Sequence, residues 1–270
     1  MGPTLIVLML MGGAIATLLL TPWLTHWRRQ RLRRRPLPQH WHSLLAQIPV
    51  ELSVEARSRW QGNIQVFLAS RQFIGCDGLQ VTEDMRLLIA ATASLLLLGE
   101  ASDFPKLRTI LLYPAPYRTQ ELHPVGPYIE ARQVIRLGES WSRDQLVLVW
   151  QQVAYDLEHW QDGHNVVLHE FAHQLDQADG QTDGVPILPD RAAYRRWAQI
   201  MSAAYARLCA EVSNGARSGL DSYGATNPAE FFAVATETFF ERPRHLQRWQ
   251  PDLYAQLRDY YRLDPLAWQD

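Results

Sequence analysis

The stretch "NVVLHEFAHQLDQADG", Asn165 to Gly180, constrains the fold of this chain more than any other. Its two histidines, His169 and His173, stand four residues apart with Glu170 between them. On an α-helix, positions four apart lie on one face, about 40° from each other, so both imidazoles can point at one ion. Glu170 falls about 100° round the helix from His169 and is placed to act as general base towards a water molecule. Asn165 reads as the N-cap, Val166, Val167 and Leu168 feed a core, and Gly180 ends the helix. Neutral imidazole suits Zn2+, whose catalytic sites take three protein ligands and leave a fourth position open. A third ligand must therefore come from elsewhere in the chain.

Three stretches offer one. Asp179 lies six residues after His173, where some zinc proteases place their third ligand. Those proteases turn sharply at a glycine three residues after the second histidine; here that residue is Asp176, which disfavours the break. Asp176 itself lies on the histidine face, but three ligands on one rigid helix crowd. Accepting a hydrogen bond from a histidine N–H suits it better. The third source is "DSYGATNPAEFFAVATETFFERP", Asp221 to Pro243. Asn227 as N-cap and Pro228 at the first helical position announce a helix there. Glu230 sits at its third position, where it would also complete a capping box, and Glu237 follows seven residues on along a similar face. Spacing does not choose between Glu230 and Glu237.

The N-terminus sets a different expectation. Thr4 to Leu24 carries no charged residue and is followed by arginines at 28, 29, 31, 33, 34 and 35. At about 1.5 Å per residue such a run is long enough to cross a bilayer. With no basic residue ahead of it, it reads as a single transmembrane anchor rather than a secretory signal. The positive-inside rule then predicts an inner-membrane protein whose catalytic domain faces the cytoplasm. Without those six arginines the rest of the chain holds 20 basic against 28 acidic residues, a balance of −8 that argues against a direct nucleic-acid partner. Cys76 and Cys209 lack metal-ligand spacing and imply no disulfide framework.

The expected organisation is an anchor over 1–27, a basic, proline-bearing linker over 28–40 and a zinc peptidase domain over 41–270. Residues 41 to 100 read as helices, among them one starting at Thr82 and stopping at Gly99. "LRTILLYP", "RQVIRLG" and "DQLVLVWQQV" read as strands of a small sheet. The segment Asp144 to Asp156 is the candidate edge strand along which an extended peptide could add. Helical patterning resumes at Asn165. The fold class expected is α+β, with a small sheet beside the HExxH helix and one N-terminal transmembrane helix.

"VVLHEFAHQLD" with "YGATNPAEFFAVATETFFERP" resembles the Mlc titration factor A family of zinc-dependent peptidases. Further likeness runs from Trp41 through "FIGCDGL", "IAATASLLLLG" and "LLYP" to "LYAQLRDYYRLDP". The two motifs also resemble the catalytic domain of lethal-factor-type toxin proteases, although Val234 stands where the toxin motif has a second glutamate. The resemblance implies a zincin-like metallopeptidase, aminopeptidase-like activity included, acting on peptide or protein substrates. It implies His169, His173 and Glu230 as zinc ligands, Glu170 as general base, and Tyr223 as donor to the developing oxyanion. The best-known members of that family bind a sugar-responsive transcriptional repressor, which makes a transcriptional regulator a partner by resemblance alone. A regulatory binding protein with vestigial hydrolysis is the alternative to an enzyme.

Overall fold

A computed structural model describes residues 20–268 except 22, 100, 102, 126, 127, 137 and 143, with only the backbone described over 117–143. Helices α1 (Trp41–Leu45), α2 (Val54–Ser70) and α3 (Glu83–Leu95) form the first layer. Ser53 and Thr82 cap α2 and α3 by accepting the backbone N–H groups of Ala56 and Met85 at 3.2 Å each. Strands β1 (Gln72–Gly75), β2 (Thr109–Tyr113), β3 (Tyr117–Val125), β4 (Tyr128–Arg136), β5 (Gly138–Ser142) and β6 (Gln145–Val149) follow, with α3 between the first two. The second half holds α4 (Trp150–Glu158), α5 (Val166–Asp176), α6 (Arg191–Ser213), α7 (Pro228–Glu241), α8 (Pro243–Trp249) and α9 (Pro251–Tyr261).

The main sheet has the order β1-β2-β6-β5, with β1, β2 and β6 parallel and β5 antiparallel at the edge; β3 and β4 pair apart as a hairpin. The expected α+β class with a membrane-crossing helix at its start is corrected on this evidence. The chain is mostly helical around a small sheet, and among the described residues no helix is long and apolar enough to cross a membrane. That finding also overturns the expected single-pass inner-membrane location and leaves the membrane without support as a partner. The apolar run up to residue 19 lies outside the described residues. Its continuation is helical over 23–33 and docks on the protein body. Arg29 pairs with Asp103, whose carboxylate is also held by the buried Arg71 at 2.6 Å. The backbone carbonyl of Arg35 accepts from the Gln65 side chain at 2.6 Å.

The expected edge strand over Asp144 to Asp156 is two elements. The apolar run in "QLVLV" forms β6, which lies between β2 and β5 in the interior of the sheet. From Trp150 the chain turns helical, burying Val153 and Asp156 three residues apart.

The core is aromatic. Phe171, on α5, is fully buried, with ring centroids 4.8 Å from Phe104 and 5.5 Å from Phe67. Helix α7 is buried over most of its length because Phe231, Phe232, Phe239 and Phe240 cover several of its faces. α5 and α7 pack against each other, the juxtaposition that the histidine helix required. Phe171→Ala is expected to cost about 3–5 kcal/mol by removing a fully buried ring from between two others. A urea-unfolding midpoint will show it; a loss below about 1 kcal/mol would mean that this ring does not anchor α5.

Candidate metal centre

Helix α5 begins where two side chains hold its free N–H ends. Asn165 Oδ1 accepts from Leu168 N at 3.0 Å, and Asp156 Oδ2 accepts from Val166 N at 2.7 Å. A carboxylate at a helix N-terminus also meets the positive end of the macrodipole. Burial nevertheless pushes the Asp156 carboxyl up to about 6, against the hydrogen bonds from Val166 and Gln152.

One and two turns into the helix, His169 and His173 face each other with ring centroids 4.8 Å apart and planes at 81°. Their Nε2 atoms are 3.2 Å apart. Glu230 reaches both from α7, its Oε2 lying 3.1 Å from His169 Nε2 and 3.2 Å from His173 Nε2. The cap of α7 is made by Asn227, whose Oδ1 accepts from Glu230 N at 3.0 Å. The Glu230 carboxylate meets the imidazoles across the helix interface.

Three electron-rich atoms thus surround one point, a group that could hold a metal ion. Bonds of about 2.0–2.1 Å to a tetrahedral ion separate its ligand atoms by about 3.3–3.4 Å, close to the separations in this cluster. The electrostatics also call for a cation. Burial pushes the His169 imidazole down, but the Glu230 and Glu237 carboxylates outweigh it and hold its pKa well above the ordinary value. Burial pushes Glu230 up, and the two imidazoles more than reverse that, bringing its carboxyl down to about 2. The residues fit a divalent metal.

Glu237 lies two turns further along α7 and outside the three-atom cluster. Its Oε1 is 2.7 Å from His169 Nδ1, and its Oε2 accepts from Asn165 N at 2.6 Å. This contact assigns the proton to Nδ1 and leaves the Nε2 lone pair directed at the cluster. One turn on, the buried Glu241 accepts from Gly163 N and Asn165 Nδ2, both at 3.0 Å. Its burial drives the carboxyl up to about 9 against those bonds. Glu230, Glu237 and Glu241 therefore line one stripe of α7 against the start of α5. The spacings of seven and four were visible in the sequence; which helix face they met was not. Glu237→Gln keeps the volume but can present an amide N–H2 to His169. It is expected to lower metal affinity about 10–100-fold, measured by competition with a chromogenic chelator. Unchanged affinity would remove Glu237 from the account.

The other candidates fall in different places. Glu170 is 7% exposed, and burial raises its carboxyl pKa against the pull of His169 and His173. Tyr223 is 54% exposed in the 3-10 turn Ser222–Ala225, its ring centroid 6.1 Å from that of His169. Asp221 Oδ1 holds this turn by accepting Tyr223 N at 2.7 Å. Asp176 Oδ1 accepts from Val185 N at 2.9 Å and Asp183 N at 3.3 Å, so it ties down the loop after α5. No histidine contact is found for Asp176 among the described residues, and His173 Nδ1 is buried without a partner there. Asp179 accepts from Gln181 N at 2.9 Å in the following turn.

Comparison with known proteins agrees with this centre. An uncharacterized protein of Synechocystis sp. is 46% identical over 270 residues, covering 98% of each chain. Mlc titration factor A of Pectobacterium atrosepticum is 32% identical over 249 residues, 86% of this chain and 90% of that protein. The protein of the same name from Serratia proteamaculans is 32% identical over 257 residues, 91% of this chain and 93% of its own length. The model of the glucose-regulated metallo-peptidase M90 family matches residues 24–262. With His169, His173 and Glu230 gathered at one point and that match spanning nearly the whole chain, the protein belongs to the glucose-regulated metallo-peptidase M90 family, the family of the Mlc titration factor A proteins.

Proposed function

We propose that the protein is a zinc-dependent peptidase that hydrolyses peptide bonds, with His169, His173 and Glu230 holding the metal. The observation that carries the reading is the convergence of the two Nε2 atoms and one Glu230 oxygen within 3.1–3.2 Å of one another. Two neutral imidazoles and one carboxylate are a donor set found in catalytic zinc sites, which keep a fourth position open. Zinc held there supplies a Lewis acid and lowers the pKa of water towards about 7.

The chain's own residues do the rest. Glu170, next to His169 and nearly buried, takes the proton of the attacking water and returns it to the leaving amine. Burial raises the Glu170 carboxyl pKa, which makes it a stronger proton acceptor than an ordinary carboxylate. The Tyr223 phenol, beside His169, donates to the carbonyl oxygen as negative charge develops on it. Glu237 keeps the His169 ring in the orientation and tautomer that metal binding needs.

A second reading, capture of a regulatory protein, is favoured by the name of the Pectobacterium and Serratia relatives, which describes a titration factor. A purely structural metal site would gain nothing from a buried glutamate beside its ligand, so hydrolysis is the leading reading. The test is cleavage of short peptide reporters by the full chain, abolished by a chelator and restored by zinc ions. Stoichiometric zinc without chelator-sensitive cleavage would leave the binding role.

A further inference from the structure

A polar cleft of about 300 Å3 is walled by Gly163, His164, Arg217, Asp221, Thr238 and Arg242 among others. The same three segments build both sites. Gly163 and His164 lead into the cap of α5, Asp221 holds Tyr223 in its turn, and Thr238 follows Glu237. The cleft is thus joined to the centre through the neighbours of Asn165, Tyr223 and Glu237.

The cleft's polar groups are unequally committed. Asp162 Oδ1 accepts from His164 N at 2.8 Å. Asp221 gives one oxygen to Tyr223 N, and its other lies 3.7 Å from His164 Nε2. His245 Nε2 contacts the Gly219 carbonyl at 2.7 Å. Among the described residues neither Arg217 nor Arg242 has an ion-pair partner, and both are exposed at the cleft.

Packing positions Arg242 in place of an ion pair. Gly163 has φ +92°, and a Cβ there would come within 2.9 Å of Arg242 Cδ. Glycine therefore serves twice, adopting a left-handed backbone and letting the arginine stem lie on the loop before α5. A stem held in this way loses little freedom when its planar head forms paired hydrogen bonds to a carboxylate.

We propose that this cleft is a substrate subsite for a carboxylate of the peptide, either an acidic side chain or the C-terminal carboxylate, with Arg242 and Arg217 as the specificity-determining residues. The proposal rests on the peptidase reading for the identity of the ligand as a peptide. Its test separates the two by measuring binding as well as cleavage. The full chain carrying Glu170→Gln is loaded with zinc, and its affinity is measured by fluorescence anisotropy for one peptide scaffold. The scaffold carries Glu, Gln or Lys at single positions, each as free acid and as C-terminal amide.

The expected result is binding of one carboxylate-bearing peptide about five- to tenfold tighter than its neutral counterpart. Preference for Glu over Gln assigns the side chain; preference for the free acid over the amide assigns the C-terminus. Arg242→Glu, and separately Arg217→Glu, should abolish that preference and favour the Lys peptide, with zinc content unchanged. In the chain with Glu170 intact, the same substitutions should raise KM for the carboxylate peptide more than they lower kcat. Equal binding of charged and neutral peptides, or a preference that survives both substitutions, would overturn the subsite. Selective binding with no cleavage by the intact chain would instead count against the peptidase reading and leave the subsite standing.

Discussion

Glu230→Ala is expected to lose its metal. Of the three atoms gathered at the centre, the Glu230 oxygen is the sole contribution from α7 and the sole anionic one. Removing it leaves two imidazoles one turn apart on α5, their Nε2 atoms 3.2 Å apart, with no carboxylate among the ligand atoms. Loss of an outer partner alone lowers affinity about 10–100-fold, and loss of a ligand should exceed that. Metal content after dialysis, and affinity by chelator competition, will show it. Asp179→Ala serves as the matched control, because its carboxylate is engaged in the turn at Gln181. Retention of stoichiometric metal by Glu230→Ala would refute the assignment.

The removal should also be felt in the fold. The same carboxylate stands between two buried histidines, and its pKa is depressed to about 2 by them. Without either metal or Glu230, the α5–α7 interface loses the carboxylate that meets His169 and His173. The Glu237 and Glu241 contacts to Asn165 remain and hold the start of α5 in place. Loss of metal is thus separable from unfolding.

Much of the centre was legible because its determinants are local. Asn165 and Asn227 announce helices by their cap chemistry, and both caps are made as the sequence predicted. The four-residue spacing of His169 and His173 is a property of one helix. Glu230 and Glu237 could not be separated in this way, since both lie on one stripe of α7. The choice depends on how far along α7 the helix α5 crosses. In the structure Glu230 meets the two Nε2 atoms, and Glu237 reaches the opposite nitrogen of His169. The positioning carboxylates Asp156 and Glu241 were missed for the same reason, since their partners, Val166 N and Asn165, lie in another element.

The errors of organisation have a different origin. A run such as "QLVLVWQQV" is continuously apolar from Leu146 to Trp150 and turns helical within it, and the strand pattern masks the change. At the N-terminus, hydropathy alone leaves out the contacts that hold the arginine-rich segment against Asp103 and Gln65. Those contacts are tertiary and leave no mark in local composition.

The central claim is that the metal centre performs hydrolysis and Glu170 moves the proton. Glu170→Gln removes the base while leaving His169, His173 and Glu230 in place, and it changes the side-chain volume little. General-base assistance contributes about 10²–10⁴-fold to such reactions. The most direct measurement compares the intact chain with Glu170→Gln, at equal zinc content, for chelator-sensitive cleavage of peptide reporters. Both proteins should bind one zinc per chain, and kcat/KM should fall at least about a hundredfold in the variant. Equal cleavage by the two proteins, or no cleavage by the zinc-loaded intact chain, would contradict this claim.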